Sequence, residues 1–171
     1  MESEWRKLKK DLNAYKENGS IYWGEFSIYL IICYRICCMI NGIRLFLFRV
    51  PLKLIVYPIY YFFYIIFGIS IPINTSIGGG LRIRHFGGIV LNPSTVIGDN
   101  CTILNGVTIG AKGKGGKSPT LGDNVYIGVG AKVLGEITIG NNVKIGANAV
   151  VLQDIPDNAT AVGIPAKIIL K

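Results

Sequence analysis

A chain of 171 residues with 18 Lys and Arg against 10 Asp and Glu, a net charge of +8, fits one domain of ordinary size. Half of the residues are apolar and 16% are charged, which excludes a charged disordered chain. The 22 glycines follow no three-residue period, which excludes collagen and points to repeated tight turns.

Residues 1–24 mix charges and lack the apolar core and small-residue cleavage site of a signal peptide. Cys33, Cys37 and Cys38 lie in an apolar stretch and Cys101 stands alone, so the spacing suggests buried thiols in a reducing compartment. From Phe26 to Ser70 the chain is at its most apolar, and Gly42, Pro51 and Pro58 predict two or three short helices. Arg35, Arg44, Arg49 and Lys53 punctuate this stretch, and Leu54–Phe67 offers 14 uncharged residues, short for a hydrocarbon core of about 30 Å. The expectation for residues 1–70 is an apolar helical region that packs against another subunit or lies in the inner-leaflet interface with its basic heads snorkelling. Between Glu25 and Asp99 there is no acidic residue, so the surface suits an anionic ligand or leaflet. The chain has no Lys/Arg run and no recognition-helix pattern, which argues against nucleic acid.

Near Ile71 the pattern changes. Branched residues recur every six positions at Ile71, Ile77, Ile83 and Ile89, then after a slip of two at Leu91, Ile97, Ile103 and Ile109. The register resumes at Leu121 and runs through Ile127, Val133, Ile139, Ile145 and Val151. A 3.6-residue helix does not explain this period, whereas one short strand and one turn per hexapeptide does. Three such sides make one coil of a parallel β-helix, each aliphatic residue stacking on its equivalent and each glycine relieving crowding at the turn. Residues 71–171 are therefore expected to form a mainly β domain of four to five coils with a C-terminal tail.

Two interruptions carry the chemistry. The segment 111–120, with Lys112, Gly113, Lys114, Gly115, Gly116 and Lys117, breaks the motif and is expected to protrude, offering amides and positive charge to an anion. His85, the only histidine, sits in LRIRHFGG where the register slips. One histidine with no adjacent Cys, Asp or Glu does not make a zinc site, so no metal is expected. An imidazole can take a proton from an alcohol attacking a thioester, and Arg82 and Arg84 beside it would attract an anionic acceptor.

The segments RHFGGIVLNPSTVIGDNCTILNGVTIG, VLGEITIGNNVKIGANAVVL and IPDNATAVGIPAKII resemble the left-handed β-helix hexapeptide acyltransferases. The likeness is to the serine acetyltransferase-like branch that contains bacterial exopolysaccharide acetyltransferases, and it covers about 100 residues. It implies a homotrimer with acetyl-CoA between adjacent prisms and His85 as the catalytic base. The backbone at Gly110 and Ala111 would hold the oxyanion. The cofactor would run past Ala111, Gly113, Lys114, Gly128, Ala131, Gly146, Ala147 and Lys167, and Arg82 and Arg84 would meet the acceptor. Serine acetyltransferases carry an acidic residue 15 positions before the histidine, where this chain has Ser70, and a second histidine at the loop end, where it has Ser118. With Ser70, Asn92 and Asn105 as the groups able to orient His85, the expected acceptor is a saccharide or lipid-linked saccharide in capsule, exopolysaccharide or lipopolysaccharide synthesis. Serine O-acetylation and a noncatalytic trimeric scaffold stand as alternatives. The expected location is cytoplasmic, in contact with the inner face of the membrane.

Overall fold

The computed structural model describes residues 2–113 and 115–170. Its N-terminal region contains three helices, α1 Glu4–Ala14, α2 Ser27–Asn41 and α3 Phe46–Phe67. Ser3 caps α1 by accepting from the Arg6 amide. A two-stranded hairpin, Lys16–Glu17 with Ser20–Ile21, turns on Asn18 and Gly19, both at positive φ as a two-residue hairpin loop requires.

From Ile69 onward the chain winds a left-handed parallel β-helix with three faces. The first face stacks Ser76–Ile77, Val96–Ile97, Thr120–Leu121 and Thr138–Ile139. The second stacks Arg82–Arg84, Thr102–Leu104, Tyr126–Ile127, Lys144–Ile145 and Thr160–Val162. The third stacks Ile69–Ser70, Ile89–Leu91, Thr108–Gly110, Lys132–Leu134 and Val150–Val151. Lys167–Ile169 folds back antiparallel on Thr160–Val162 and pairs the last edge.

The predicted columns are the core. Ile77, Ile97, Leu121 and Ile139 pair in successive coils, as do Ile83, Ile103, Ile127 and Ile145, and none is more than 2% exposed. Each such side chain contributes roughly 1.5–3 kcal/mol on burial. The slip of two at His85 lengthens one coil without moving the columns, because Ile89 and Leu91 both point inward around an exposed Val90. Residues 111–113 and 115–118 add no strand to the prism, since Leu121 pairs directly with Ile97.

The glycines act by close approach. A Cβ on Gly78 would lie 2.3 Å from the Asp99 carboxylate and 2.6 Å from the Gly98 carbonyl carbon, so the coils could not stack. The left-handed turn positions are shared between glycine, at Gly80, Gly88, Gly106 and Gly130, and asparagine, at Asn100, Asn124, Asn142, Asn148 and Asn158, a residue whose short polar side chain tolerates that region. Asn124 donates to Asn142 at 3.1 Å and Asn142 to Asn158 at 3.0 Å, a ladder along one edge.

Three expectations for the N-terminal region change. α3 runs unbroken through Pro51 and Pro58. Each proline removes one helical hydrogen bond, to Leu47 and Leu54, and both of these residues are more than 70% exposed, so the orphan carbonyls lie on the outer side. The first strand of the prism begins at Ile69, and Leu30, Ile31, Tyr34, Cys37, Tyr60 and Phe67 share one core with the first coils. Arg35 belongs to no surface. It is 1% exposed, donates from Nε to Asp11 Oδ2 at 2.7 Å and from Nη1 to the Ile77 carbonyl at 3.0 Å, and also bonds the Gly78 carbonyl. Asp11 in turn accepts from the Leu81 amide at 2.9 Å. Burial pushes the Asp11 carboxyl above its usual range, and Arg35 beside it pulls it back.

Candidate active site

His85 follows strand Arg82–Arg84 at the corner between the second and third faces, with φ of 56°. Such a conformation is uncommon outside glycine and needs support from its surroundings. Gly87 and Gly88, at φ of 116° and 66°, complete the turn. Phe86 anchors it, its ring 5.3 Å from that of Phe67 and 6.0 Å from that of Phe26. The His85 amide donates to Glu25 Oε1 at 3.1 Å. The strand beneath is held by Tyr15, whose buried hydroxyl accepts from the Ile83 amide at 2.9 Å and is pushed up to about 12 by desolvation.

The exposed imidazole opens on a cavity of about 520 Å³ whose charged walls are Arg84, Glu25 and Glu17, with Tyr22 and Phe26 as its aromatic walls. One prism residue and the chain before α2 thus bring opposite charges to the cavity at His85. Arg82, expected to meet the acceptor, does not line this cavity. Its guanidinium bonds Glu17 at 2.8 Å and lies over the Tyr15 ring at 5.8 Å.

None of the three residues expected to orient the histidine bonds its imidazole among the described residues. The Ser70 hydroxyl is hydrogen-bonded to Tyr64. Asn92 accepts from the Ser94 amide at 3.0 Å and hydroxyl at 2.8 Å, and Ser94 reaches Ser118 at 2.9 Å. Asn105 supplies its carbonyl to the Gly130 amide. The carboxylate next to His85 is Glu25, which belongs to none of the sequence motifs. Its signal was its place as the last acidic residue before the long basic stretch.

Gly110 and Ala111 close the third face at its other corner. The Gly110 carbonyl accepts from Gly135, while the Ala111 amide has no acceptor among the described residues. They share no cavity with His85 within one chain, because a sheet face roughly 15 Å wide separates the corners. Gly113 is exposed at φ of 85°, and Lys114 lies outside the described residues. Lys117 is ion-paired with Glu136 beside a cavity of about 310 Å³. Gly128 packs so closely that a Cβ there would sit 2.7 Å from the Ala147 amide nitrogen, and Gly146 and Ala147 follow one coil on. Ala131 is a correction: its side chain is fully buried, its carbonyl accepts from Thr108 and its amide bonds Gly128, so nothing of it is left for a cofactor. Lys167 is exposed on the returning C-terminal strand.

Residues 118–153 match the family described as Bacterial transferase hexapeptide (six repeats). Over 146 residues the chain is 44% identical to a serine acetyltransferase of Helicobacter pylori, covering 84% of this chain and 81% of that one. The chain belongs to the serine acetyltransferase family. Against chloroplastic serine acetyltransferase 1 of Arabidopsis thaliana it is 39% identical over 105 residues, 60% of its own length and 33% of that longer protein. The crystal structure of Neisseria gonorrhoeae serine acetyltransferase in complex with serine superposes with a TM-score of 0.76 at 33% identity, covering 96% of this chain and 68% of that one. A serine acetyltransferase complex with CoA gives 0.77 at 30% identity, covering 98% and 70%. These relatives overturn the expected saccharide acceptor. Ser70 and Ser118 do not decide against serine, and the fold brings Glu25 and Arg84, of opposite charge, to the cavity at His85.

Proposed function

We propose that this chain is a serine O-acetyltransferase, moving acetyl from acetyl-CoA to the hydroxyl of free serine. The observation that carries the reading is the cavity at His85, where Arg84 and Glu25 flank the only imidazole. Free serine carries one carboxylate and one ammonium. A guanidinium and a carboxylate lining one cavity with the imidazole can hold both and leave the hydroxyl toward the base.

In the step, His85 takes the hydroxyl proton as the serine oxygen bonds to the thioester carbonyl carbon. The carbonyl oxygen becomes an oxyanion, for which the Ala111 amide is a donor. Collapse breaks the carbon–sulfur bond, and the imidazolium returns the proton to the departing CoA thiolate. The products are O-acetylserine and CoA, and no metal enters. Gly146 and Ala147 supply a smooth strip for the pantetheine arm beside the buried Gly128, and exposed Lys167 a positive charge for its phosphates.

The reading includes a homotrimer. His85 and Ala111 sit at opposite corners of one face, so two copies side by side would bring the base of one to the oxyanion donor of the next. Light scattering should then give three times the 18.7 kDa chain mass. The reading keeps a cytoplasmic location, a compartment that supplies acetyl-CoA. The test is an acceptor screen with purified protein and acetyl-CoA, following thiol release and acceptor mass. Serine should gain one acetyl group per thiol released. Inert serine would overturn the reading.

A further inference from the structure

The strand that carries His85 is an edge. Arg82–Arg84 ends its six-stranded sheet, paired only with Thr102–Leu104 of the next coil, and no strand lies beneath it. Along this lower edge the helical region supplies side chains where another coil would supply backbone. Tyr34 donates to the Thr75 carbonyl at 2.6 Å, Arg35 donates to the Ile77 carbonyl at 3.0 Å, and Asp11 accepts from the Leu81 amide at 2.9 Å. Each of these ties holds one polar group of one residue.

Ile83, two positions before His85, is held by both of its polar groups. Its amide donates to the Tyr15 hydroxyl at 2.9 Å, its carbonyl accepts from the Ser27 hydroxyl at 2.6 Å, and the two hydroxyl oxygens lie 3.0 Å apart. A hydroxyl has one proton to give. Ser27 opens α2 and spends its proton on the Ile83 carbonyl, so Tyr15, which lies 3.3 Å from that carbonyl, gives its own to the nearer Ser27 oxygen. The result is a closed ring that runs from the Ile83 amide through the two hydroxyls to the Ile83 carbonyl. Tyr15 and Ser27 are both 0% exposed, so bulk water does not compete for these bonds.

The base depends on this support. His85 holds a φ of 56°, which persists only where the surroundings fix it. Its amide is tied to Glu25, Phe86 grips the turn on the far side through the Phe67 ring, and Ile83 grips the strand on the near side. Extended chain between Ile83 and His85 has little slack, so a shift of Ile83 passes to the imidazole. A displacement of about 1 Å at a reacting group can cost about 10²-fold in rate.

We infer that Tyr15 and Ser27 are positioning residues, which act on the reaction through Ile83 by fixing the strand that carries His85. The inference rests on His85 as the base and not on which acceptor it serves. The test compares Y15F and S27A with Y34F in the full chain. Tyr34 is the matched control, a phenol 1% exposed that bonds the same lower edge at Thr75, away from the base. Y15F and S27A should each lower kcat about tenfold, with KM for serine and for acetyl-CoA within about twofold. The double variant should lose little more than either single one, since one break already opens the ring. Y34F should lose thermal stability comparable to Y15F and keep its kcat. His85 is the only histidine, so the Cε1 signal of carbon-13-labelled histidine reads the placement of the base directly. That signal should move or split in Y15F and S27A and stay in place in Y34F. If wild-type protein leaves serine unacetylated, the acceptor reading fails and the imidazole signal alone decides this inference. An unmoved signal in Y15F and S27A, an unchanged kcat in both, or a Y34F protein that matches Y15F in signal and kcat would each overturn it.

Discussion

Ile127 and Arg35 are both buried to 1% or less, and they show two different ways of holding a chain together. Ile127 lies between Ile103 and Ile145, chemically identical neighbours in the coils on either side. Arg35 has no equivalent anywhere, and it joins α2 to Asp11 of α1 and to the Ile77 and Gly78 carbonyls of the first coil. The prism is stabilised by repetition, so a local loss is shared with similar neighbours. The helical region shares the apolar core of the first coils and adds a few unlike polar ties, and losing one of those ties leaves its partners uncompensated. The site lies on the seam, its base from the prism and its acidic wall from the chain before α2.

The largest effect is expected at that seam. H85N removes the base and should lower kcat by about 10²–10⁴-fold while acetyl-CoA binding stays within a few-fold. A thiol-release assay with a binding measurement checks it, and an unchanged rate would end the general-base assignment.

The comparison itself is broken or kept by R35M. It leaves Asp11 as an uncompensated buried charge and should cost about 3–5 kcal/mol. Calorimetry should then show two transitions, the helical region melting before the prism. I127A should cost about 2–5 kcal/mol, yet in a single transition centred on the prism. If both variants melt alike, the two regions are not held in different ways.

A smaller change is expected from E25Q, which keeps an acceptor for the His85 amide but removes the charge proposed to meet the serine ammonium. KM for serine should rise on the order of tenfold with kcat little altered. A fall in kcat with KM unchanged would move Glu25 from binding to positioning of the base.

The smallest effect concerns pH. The hydrogen bond from Lys10, at 2.7 Å, holds the Asp99 carboxyl below its usual range. A carboxylate with a lowered folded-state value contributes stability above its unfolded value and loses it as pH falls through the folded one. Hydrogen exchange of α1 should therefore speed up on acidification below the ordinary Asp range while the prism amides stay protected, and K10M should abolish that difference.

Much of the prism was legible because its rule is local. A strand of two or three residues and a turn repeat within six positions, so Ile97, Ile103 and Ile109 announce three faces without any distant partner. The turn at His85 and the excursion at 111–119 were legible for the same reason, as departures from a regular count. Glycine relieves crowding at the turns as its spacing implies, while Asn100, Asn124, Asn142 and Asn158 recur in that count too and hold left-handed turns that the aliphatic pattern does not mark. Ala131 was misplaced because a small residue fits the inside of a coil as well as a cofactor groove.

The sequence by itself determined the pitch, the three-sided coil, the one base and the outward loop, since each is specified by residues within a few positions of one another. Only the tertiary structure decided that Arg35 is buried, that Arg82 is spent on Glu17, that α3 continues through two prolines with its outer side exposed, and that Glu25 faces His85. Glu25 and His85 are 60 residues apart and Arg82 and Glu17 are 65 apart, and no periodicity links them. Their meeting is set by how an irregular helical region docks on the first coil, a packing outcome that depends on every side chain in the contact at once.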